Sequence, residues 1–384
     1  MSDSTIYLDH AAATPLDERV FRAMEPYFSE KFYNPSAPYS AAREARRDLE
    51  GARHRLAMAI GAKRDEVILT AGATESVNLA IGGLLSKGGH AVVGATEHQA
   101  VMHAVSPYPH SIAVASPKGI ITPEAVIAAV TDDTVLVSVT AADSELGAVQ
   151  PLHKIATALE SIRNERRSRG VKTPLYLHSD ASQAAGALDI HVSRLGVDML
   201  TLNAAKCYGP KQVGLLWLRY SIQLEPIVRG GGQERGLRAG TEYVAGAVGF
   251  ATALELAQSE RHEQVTRLAA LRDTLEQELT KAIPELVVNG HAKRRLPGHL
   301  HVSLDGLDAE RVIFRLDEDG VMAATGAACA ANKNTRSSVL EAIGLEDSLS
   351  DGSLRFTLGK LNDEDSIKRA VPLIIRAIRE EASR

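Results

Sequence analysis

Cysteine is scarce in this sequence. The 384 residues include only two cysteines, Cys207 and Cys329. A disulfide framework is therefore excluded, and a single bridge between the two is not expected in a large chain that lacks an export signal. Cys329 lies among small residues and is the better candidate for a reactive thiol. The spacings of metal sites are also missing: there is no Cys-x-x-Cys, and His262-Glu263 lacks the second histidine of a zinc-protease helix, so we expect no metal.

An excess of basic charge and long apolar runs are absent as well. The net charge is −5, which gives no basic surface for nucleic acid or for an anionic membrane. No run approaches the ~18 apolar residues that indicate a membrane span. The first residues lack the basic and apolar regions of a signal peptide. We therefore expect a cytoplasmic protein that binds neither nucleic acid nor membrane.

The sequence does contain a series of alternating strand and helix patterns. Buried-strand patterns lie at residues 67–70, 91–94, 111–115, 135–139, 175–177, 199–202 and 213–218. Helical patterns separate most of them, which is typical of a mostly parallel sheet covered by helices, an α/β fold. The chain exceeds the roughly 250–300 residues at which one core stops growing. A second, smaller α+β domain is expected after residue 287. Near the N-terminus, Thr14-Pro15 predicts the N-cap and first residue of a helix.

Two of these strand patterns end in side chains with chemical potential. Residues 199–202 are followed by Asn203 and, after two alanines, by Lys206, and the preceding buried run ends at Asp180. Ligands bind at the carboxyl ends of strands in open α/β sheets. A buried lysine there is costly unless it is paired or chemically used as an amine nucleophile. Taken alone, the pattern fits a structural Lys206–Asp180 ion pair equally well or better.

Further motifs indicate an anionic ligand. Gly72-Ala73-Thr74-Glu75 lies between a strand and a helix start, where N–H groups, the helix dipole and a hydroxyl form an anion site, although a simple N-cap explains it too. Residues 230–241 contain five glycines and two arginines, which favours a loop around an anionic ligand or a partner subunit over a linker. His98 could merely cap a helix, and Arg355 could form an exposed salt bridge on a short strand.

Together, these parts fit pyridoxal 5′-phosphate (PLP). A lysine would attach the cofactor, a strand-end acid would pair with the pyridine nitrogen, and a helix terminus would hold the phosphate.

The motifs also resemble, in order and spacing, those of the cysteine desulfurases, class V aminotransferases of the fold-type I PLP enzymes. The matching motifs are Leu8-Asp9-His10-Ala11-Ala12, Asn34-Pro35-Ser36, Gly72-Ala73-Thr74-Glu75-Ser76, Glu97-His98, Glu145-Leu146-Gly147-Ala148-Val149-Gln150-Pro151, His178-Ser179-Asp180-Ala181-Ser182-Gln183, Lys206-Cys207-Tyr208-Gly209-Pro210-Lys211, residues 230–241, Thr325-Gly326-Ala327-Ala328-Cys329 and Leu354-Arg355-Phe356-Thr357-Leu358-Gly359. The resemblance implies a mostly parallel, seven-stranded sheet in a large PLP-binding domain at residues 15–255. It also implies a small α+β domain, formed by residues 1–14 and 256–384, that carries Cys329.

The resemblance implies roles in cofactor binding. Lys206 would attach PLP and move protons at the substrate α-carbon, while Asp180 would pair with the pyridinium. Gln183 would bond the ring hydroxyl, and His98 would stack on the ring and assist proton transfer. The other cofactor contacts would come from Ala73, Thr74, Ser144, Asn203 and, from the second subunit of a homodimer, Thr241.

It also implies how the substrate is used. Arg355, with Asn34, would clamp the carboxylate of L-cysteine, a task that suits a bidentate guanidinium. Cys329 would attack the substrate sulfur, so that L-alanine is released and a persulfide remains on the enzyme. A sulfur-acceptor protein, either an iron–sulfur scaffold or a tRNA-thiolation carrier, would then take the sulfur.

Four positions depart from the family pattern. Asn203 and Ala205 replace the usual serine and histidine that contact the phosphate, Ser144 replaces an asparagine, and Tyr39 replaces a histidine. One charge-assisted hydrogen bond contributes roughly 1.5–3 kcal/mol. We therefore expect PLP to be held about tenfold to a hundredfold less tightly, without loss of activity.

Two other functions stay open at this point. Another class V PLP enzyme, such as a selenocysteine or cysteine sulfinate lyase or an aminotransferase, would not need Cys329 as a nucleophile. The altered positions would also fit a sulfur-pathway partner whose pocket has degenerated.

Overall fold

The strands form one large sheet and two smaller ones. The computed structural model describes residues 5–326 and 336–384. The strands of this part are β1 (Ile6–Tyr7), β2 (Val67–Thr70), β3 (His90–Gly94), β4 (His110–Ala113), β5 (Thr134–Ser138), β6 (Tyr176–Asp180), β7 (Met199–Asn203), β8 (Gly214–Leu218), β9 (Val287–Val288), β10 (His299–Ser303), β11 (Val321–Met322), β12 (Ala324–Thr325) and β13 (Ser353–Thr357). Every predicted buried-strand pattern corresponds to one of them.

Helices cover these sheets and connect their strands. They are α1 (Glu18–Met24), α2 (Pro26–Ser29), α3 (Ser40–Ala59), α4 (Ala73–Leu85), α5 (Gln99–Val105), α6 (Pro123–Ala129), α7 (Leu152–Ser168), α8 (Val192–Leu195), α9 (Val244–Ser259), α10 (Arg261–Ala282), α11 (Ala309–Glu318), α12 (Ser338–Ala342), α13 (Asp347–Asp351) and α14 (Glu364–Ala382). Among these helices, none is both long enough and apolar enough to cross a membrane.

The large sheet has seven strands in the order β2-β8-β7-β6-β5-β3-β4. All neighbouring pairs are parallel except those of β8, which runs antiparallel to both β2 and β7. The prediction of a mostly parallel, seven-stranded sheet is therefore confirmed. Because β6 and β7 are adjacent and parallel, their carboxyl ends lie side by side, and this places Asp180 next to the chain that leads to Lys206.

The buried apolar residues form three large clusters, two around the large sheet and one around the strands β10 and β13. One cluster packs the large sheet against α3, α7 and α9, and another fills the opposite side of that sheet beneath α4 and α5. A third joins β10 and β13 to α10, α11 and α14, and includes Ile6 and Leu8 from the N-terminus. This third cluster therefore packs residues near the N-terminus against the C-terminal part of the chain. Domain limits at residues 15–255, and at 1–14 with 256–384, stay a prediction.

The first helix begins later than Thr14-Pro15 predicts. It starts at Glu18, and Asp17 is its N-cap. The Thr14 hydroxyl instead donates a hydrogen bond to the carbonyl of Ala205 at 3.0 Å and accepts one from the N–H of Tyr208 at 2.9 Å. The prediction was wrong because this long-range contact, which the local pattern does not reveal, occupies the hydroxyl.

Candidate active site

A pocket of about 340 Å³ lies at the carboxyl edge of the large sheet. Nine of the residues selected from the sequence line it: Ala73, Thr74, His98, Ser144, Asp180, Gln183, Asn203, Lys206 and Arg355. They come from the starts of α4 and α5, from the ends of β6 and β7 with the turns that follow, from the loop after β5, and from β13 of a small sheet. Only the fold brings them together.

Lys206 lies in a short 3-10 turn directly after β7. The side chain of Asn203 caps this turn by accepting a hydrogen bond from the N–H of Ala205 at 3.1 Å. The Lys206 amine donates to two backbone carbonyls, those of Ala11 and Ala12, each at 2.7 Å. It is thus held by neutral acceptors, not by the Asp180 carboxylate of the simpler interpretation.

The surroundings of Lys206 favour its neutral form. Burial lowers the pKa of the Lys206 amine, and the nearby Arg355 guanidinium lowers it further, while Asp180 and Asp9 oppose both effects. A lysine whose pKa is lowered by burial and by a like charge is a typical amine nucleophile.

Asp180 is the last residue of β6 and is largely buried. Its Oδ1 accepts a hydrogen bond from the N–H of Ser182 at 2.9 Å, which orients the carboxylate at the pocket wall. Directly after Ser182, Gln183 donates from its amide nitrogen to the carbonyl of Ala11 at 3.0 Å. Gln183 and Lys206 therefore share one backbone acceptor and are placed relative to each other by it.

His98 precedes α5 and acts as its N-cap. Its Nδ1 accepts a hydrogen bond from the N–H of Ala100 at 3.0 Å, so the ring proton of the neutral form is on Nε2. Burial lowers the pKa of the imidazole, Lys206 lowers it further, and Asp180 opposes them. His98 therefore caps α5, as the simpler interpretation of the sequence proposed. The same ring also lines the pocket.

Arg355 lies on β13 and reaches the pocket from the small sheet. It is 2% exposed, so the exposed salt bridge considered from the sequence is wrong. Its Nη2 contacts Asp9 at 2.8 Å, and its Nη1 donates to the carbonyl of Ser144 at 3.3 Å. The guanidinium is fixed in place, and its charge is matched by a carboxylate 346 residues away in the chain.

Buried carboxyl groups lie beneath the pocket. Glu97 is fully buried and accepts a hydrogen bond from the N–H of Thr140 at 2.5 Å through one oxygen, while its other oxygen has no partner. Burial holds the pKa of Glu97 well above its ordinary value, and Asp180 and Asp143 add to this effect. Its surroundings therefore favour the protonated form of Glu97. The sequence marked Glu97 and Asp9 only as parts of motifs, and their roles depend on contacts that no local pattern shows.

The start of α4 forms the remaining wall. Ala73 and Thr74 are its first two residues, and Gly72 precedes them with a φ of 113°, a conformation that favours glycine. A helix of this length presents free N–H groups and a positive dipole end at its N-terminus. This end of the pocket suits an anion such as a phosphate group.

Two of the selected residues lie elsewhere. Asn34 is exposed, and its Oδ1 accepts a hydrogen bond from the N–H of Ser36 at 2.9 Å. Thr241 is exposed at the end of the glycine-rich loop and does not line this pocket. The charged residues of that loop bind their own chain: Glu234 pairs with the buried Arg53 at 2.5 Å, and Arg238 contacts Glu75 at 2.9 Å.

The structure describes one of the two cysteines, Cys207. Cys329 lies outside the described residues. Cys207 is free and buried, and burial raises the pKa of its thiol to about 12. Cys207 therefore stays a thiol near neutral pH and does not form the reactive thiolate.

The family model described as Aminotransferase class-V matches residues 6–370. The chain belongs to the class V aminotransferase family. The resemblance predicted from the motifs is thereby confirmed, and it extends over nearly the whole sequence.

Several known proteins are similar to this class V chain. A cysteine desulfurase IscS from Dictyoglomus turgidum is 37% identical over 382 residues, which cover 97% of this chain and 94% of that protein. A solved NifS-like protein has a TM-score of 0.90 at 27% identity and covers 98% of this chain and all of its own. The structure of SspA in complex with cysteine has a TM-score of 0.78 at 31% identity and covers 92% of this chain and 99% of its own.

Proposed function

We propose that this protein is a PLP-dependent cysteine desulfurase, which converts L-cysteine to L-alanine and holds the released sulfur as a persulfide on Cys329. The observation that carries the proposal is that Lys206, an amine with a lowered pKa, and Asp180 line one pocket at the ends of adjacent strands. The cysteine desulfurases among its relatives, similar over nearly their full length, support the same chemistry.

The pocket residues fit PLP. Lys206 would attach the cofactor, Asp180 would pair with the pyridine nitrogen, and the N-terminus of α4 would receive the phosphate. The fit is supported by the chemistry of these three groups, which are a poised amine, a buried carboxylate and free N–H groups around one pocket. When bound, PLP supplies an electron sink that makes bond cleavage at the substrate α-carbon feasible.

Arg355 is the group that binds the substrate carboxylate. Its contact with Asp9 keeps the guanidinium oriented and compensated before L-cysteine arrives. A substrate carboxylate can join or replace Asp9 on the planar guanidinium, which donates two parallel hydrogen bonds to such a partner. Asn34 would contribute to this site, and Ser144 and Gln183 would contact the cofactor.

Lys206 and His98 would transfer the protons. Burial lowers the pKa of both groups, which shifts each of them toward its neutral form. Lys206 would remove and return the proton at the substrate α-carbon, because it already lines the pocket beside Asp180. His98, whose Nδ1 is occupied by a backbone N–H, would exchange protons only through Nε2.

Cys329 would act as the sulfur nucleophile. The other cysteine, Cys207, is unsuited because its thiol is buried and its pKa is raised to about 12. A persulfide on Cys329 would be delivered to a sulfur-acceptor protein, an iron–sulfur scaffold or a tRNA-thiolation carrier. A reducing cytoplasm, where free thiols persist, remains the predicted location.

A homodimer would complete the site. Thr241 is exposed and does not line the pocket of its own chain, as expected of a residue donated to a partner subunit. Exposed aromatic side chains, including Phe32 at 65% and Tyr39 at 51% exposure, are available to be covered by a second copy. Soluble oligomers are most often two-fold dimers of this kind.

The test is a comparison of wild type with Lys206→Ala and Cys329→Ser. Wild type loaded with PLP should be yellow, and L-cysteine should yield L-alanine. Lys206→Ala should lose both properties, whereas Cys329→Ser should keep the colour and lose sulfide release. Equal sulfide release from wild type and Cys329→Ser would instead indicate a lyase. A wild type that stays colourless with added PLP would indicate a degenerate pocket.

A further inference from the structure

The two carbonyls that hold the Lys206 amine belong to a turn near the start of the chain. This N-terminal turn, residues 9–13, is closed by hydrogen bonds from the N–H groups of Ala12 at 3.1 Å and Ala13 at 3.5 Å to the carbonyl of its first residue. Its last three residues are alanines, which have no polar side chain with which to fix the backbone. The direction of the Ala11 and Ala12 carbonyls therefore depends on groups that bind the turn from outside.

Thr357, the last residue of β13, is the first of these groups. Its hydroxyl accepts a hydrogen bond from the N–H of Ala11 at 2.9 Å. Its carbonyl accepts hydrogen bonds from the N–H of His10 at 3.1 Å and from the His10 Nδ1 at 3.0 Å. Thr357 is 1% exposed, so water does not compete for these contacts. The hydroxyl thus fixes Ala11, whose carbonyl accepts from both Lys206 and Gln183.

Tyr7 is the second group, and it binds both ends of the turn. Its hydroxyl donates to the carbonyl of Asp9 at 2.8 Å and to that of Ala13 at 2.9 Å. The two acceptors share one proton, because a tyrosine hydroxyl has a single donor. The Tyr7 ring also packs edge-on against the His10 ring, with the ring centroids 4.9 Å apart. Tyr7 therefore holds the ends of the turn together, with the two alanine carbonyls between them.

The residue after the turn attaches the backbone that carries Lys206. The Thr14 hydroxyl donates to the carbonyl of Ala205 at 3.0 Å and accepts a hydrogen bond from the N–H of Tyr208 at 2.9 Å. Both the backbone and the amine of Lys206 are thus bound to one short stretch of chain. A local change in the turn can therefore shift the acceptors of the amine while these Thr14 contacts keep the Lys206 backbone in place.

Two carbonyl acceptors stabilise the charged form of an amine. Both Lys206 contacts are 2.7 Å long, and hydrogen bonds to the charged form of a lysine raise its pKa. This effect opposes the burial that lowers the Lys206 pKa. The charged and titratable groups around the amine are Arg355 on β13, Asp180 on β6, Asp9 in the turn and His98 before α5. A change confined to the hydroxyls that bind the turn leaves all four of these groups in the chain.

We propose that Thr357 and Tyr7 are positioning residues for Lys206, because their hydroxyls fix the N-terminal turn whose carbonyls hold the amine in the pocket. Neither of them is among the residues that line the pocket, so both act through the backbone of the turn. The inference rests on the proposed function, in which Lys206 attaches PLP and moves a proton. Thr357 follows Arg355 by two residues on β13, so one strand places both the substrate-binding guanidinium and the turn that holds the amine.

The first experiment measures the pKa of Lys206 in the full chain without cofactor. Wild type, Thr357→Val, Thr357→Ser and Tyr7→Phe are labelled briefly with acetic anhydride at a series of pH values. Mass spectrometry of the peptide that contains Lys206 gives the labelling rate at each pH. Tyr220→Phe, at a tyrosine that is 73% exposed, is the matched control for the loss of a hydroxyl. The exposed Lys172 is an internal standard within every sample.

Loss of either hydroxyl should lower the pKa of Lys206. We expect a shift of about half a pKa unit or more in Thr357→Val and in Tyr7→Phe, because loosened carbonyls stabilise the ammonium form less. Thr357→Ser keeps the hydroxyl and should keep the wild-type pKa, as should Tyr220→Phe. The pKa of Lys172 should be the same in all five proteins.

The second experiment follows the proton that Lys206 would move. The PLP-loaded proteins are incubated with L-alanine in D₂O, and exchange of the α-proton is measured by NMR. Exchange should slow about fivefold in Thr357→Val and Tyr7→Phe, as expected when about one hydrogen bond's worth of positioning is lost. Thr357→Ser and Tyr220→Phe should exchange the proton at the wild-type rate.

Four results would overturn the inference. They are a wild-type pKa of Lys206 in both Thr357→Val and Tyr7→Phe, an equal shift at Lys172, a Thr357→Ser that behaves like Thr357→Val, and unchanged proton exchange in the two variants without a hydroxyl. If Thr357→Val does not fold, Tyr7→Phe, which removes one half-buried hydroxyl, decides the outcome.

Failure of the proposed function gives a different result. Wild type loaded with PLP would then form no L-alanine from L-cysteine. The labelling of the cofactor-free chain needs neither substrate nor turnover, so it would still show whether the two hydroxyls position Lys206.

Discussion

At the scale of residues, the pocket depends on how each charged group is compensated. Lys206 is held by two carbonyls, and Arg355 is held by Asp9. Burial holds the pKa of the Glu97 carboxyl well above its ordinary value. Asp180 lines the pocket at the strand ends, where it is placed to face a cationic ring nitrogen.

Asn203 carries a prediction at this scale. Its side-chain oxygen caps the turn of Lys206, so its amide N–H₂ is the group left to act as a donor toward a phosphate. Asn203→Asp keeps the capping oxygen and replaces the donor with negative charge. We expect PLP to bind at least about tenfold more weakly, with an unchanged melting temperature of the cofactor-free protein. A PLP titration followed by absorbance measures this, and unchanged affinity would show that Asn203 does not contact the phosphate.

At the scale of elements, His178 joins three neighbouring strands. From β6, its Nδ1 contacts the hydroxyl of Ser138 on β5 at 2.9 Å, and its Nε2 contacts the hydroxyl of Thr201 on β7 at 3.0 Å. The ring is fully buried, and burial lowers its pKa from 6.5 to about 3. The histidine therefore enters the sheet only in its neutral form.

This row of contacts predicts a pH dependence of stability. A lowered pKa in the folded state means that the contribution of His178 is complete above pH 6.5 and is lost as pH falls toward 3. Relative to His178→Asn, the unfolding free energy of wild type should fall by about 1.4 kcal/mol per pH unit below the ordinary histidine pKa. Urea titrations of both proteins between pH 7 and 5 measure the difference, and parallel curves would contradict the account.

The elements also show what could be predicted from the sequence. The ends of β6 and β7 were predictable, because apolar runs that stop at Asp180 and before Lys206 indicate both the strands and their functional edge. The burial of Arg355 was not predictable, since its partner Asp9 lies at the other end of the chain. Thr14 was wrongly predicted to be a helix N-cap, because the residues that its hydroxyl binds, Ala205 and Tyr208, are also far away in the chain. Local patterns specify elements, whereas contacts between distant segments decide which polar groups they bring together.

At the scale of the whole molecule, Thr241 predicts a site shared between two subunits. A mixed dimer of Lys206→Ala and Thr241→Ala chains would contain one complete site if Thr241 acts across the interface. Such a dimer, isolated with two different tags and assayed at limiting PLP, should recover activity that neither parent dimer shows. If Thr241 acts within its own chain, each site of the mixed dimer carries one defect and no activity returns.

The central claim is that sulfur from L-cysteine arrives on Cys329 through chemistry that depends on Lys206. The most direct measurement is the mass of the Cys329 peptide after PLP-loaded protein has reacted with L-cysteine in the absence of reductant. We predict one additional sulfur on that peptide in wild type, none in Lys206→Ala, and none on the peptide that contains Cys207. An unmodified Cys329 peptide in a wild type that still produces L-alanine would contradict the claim.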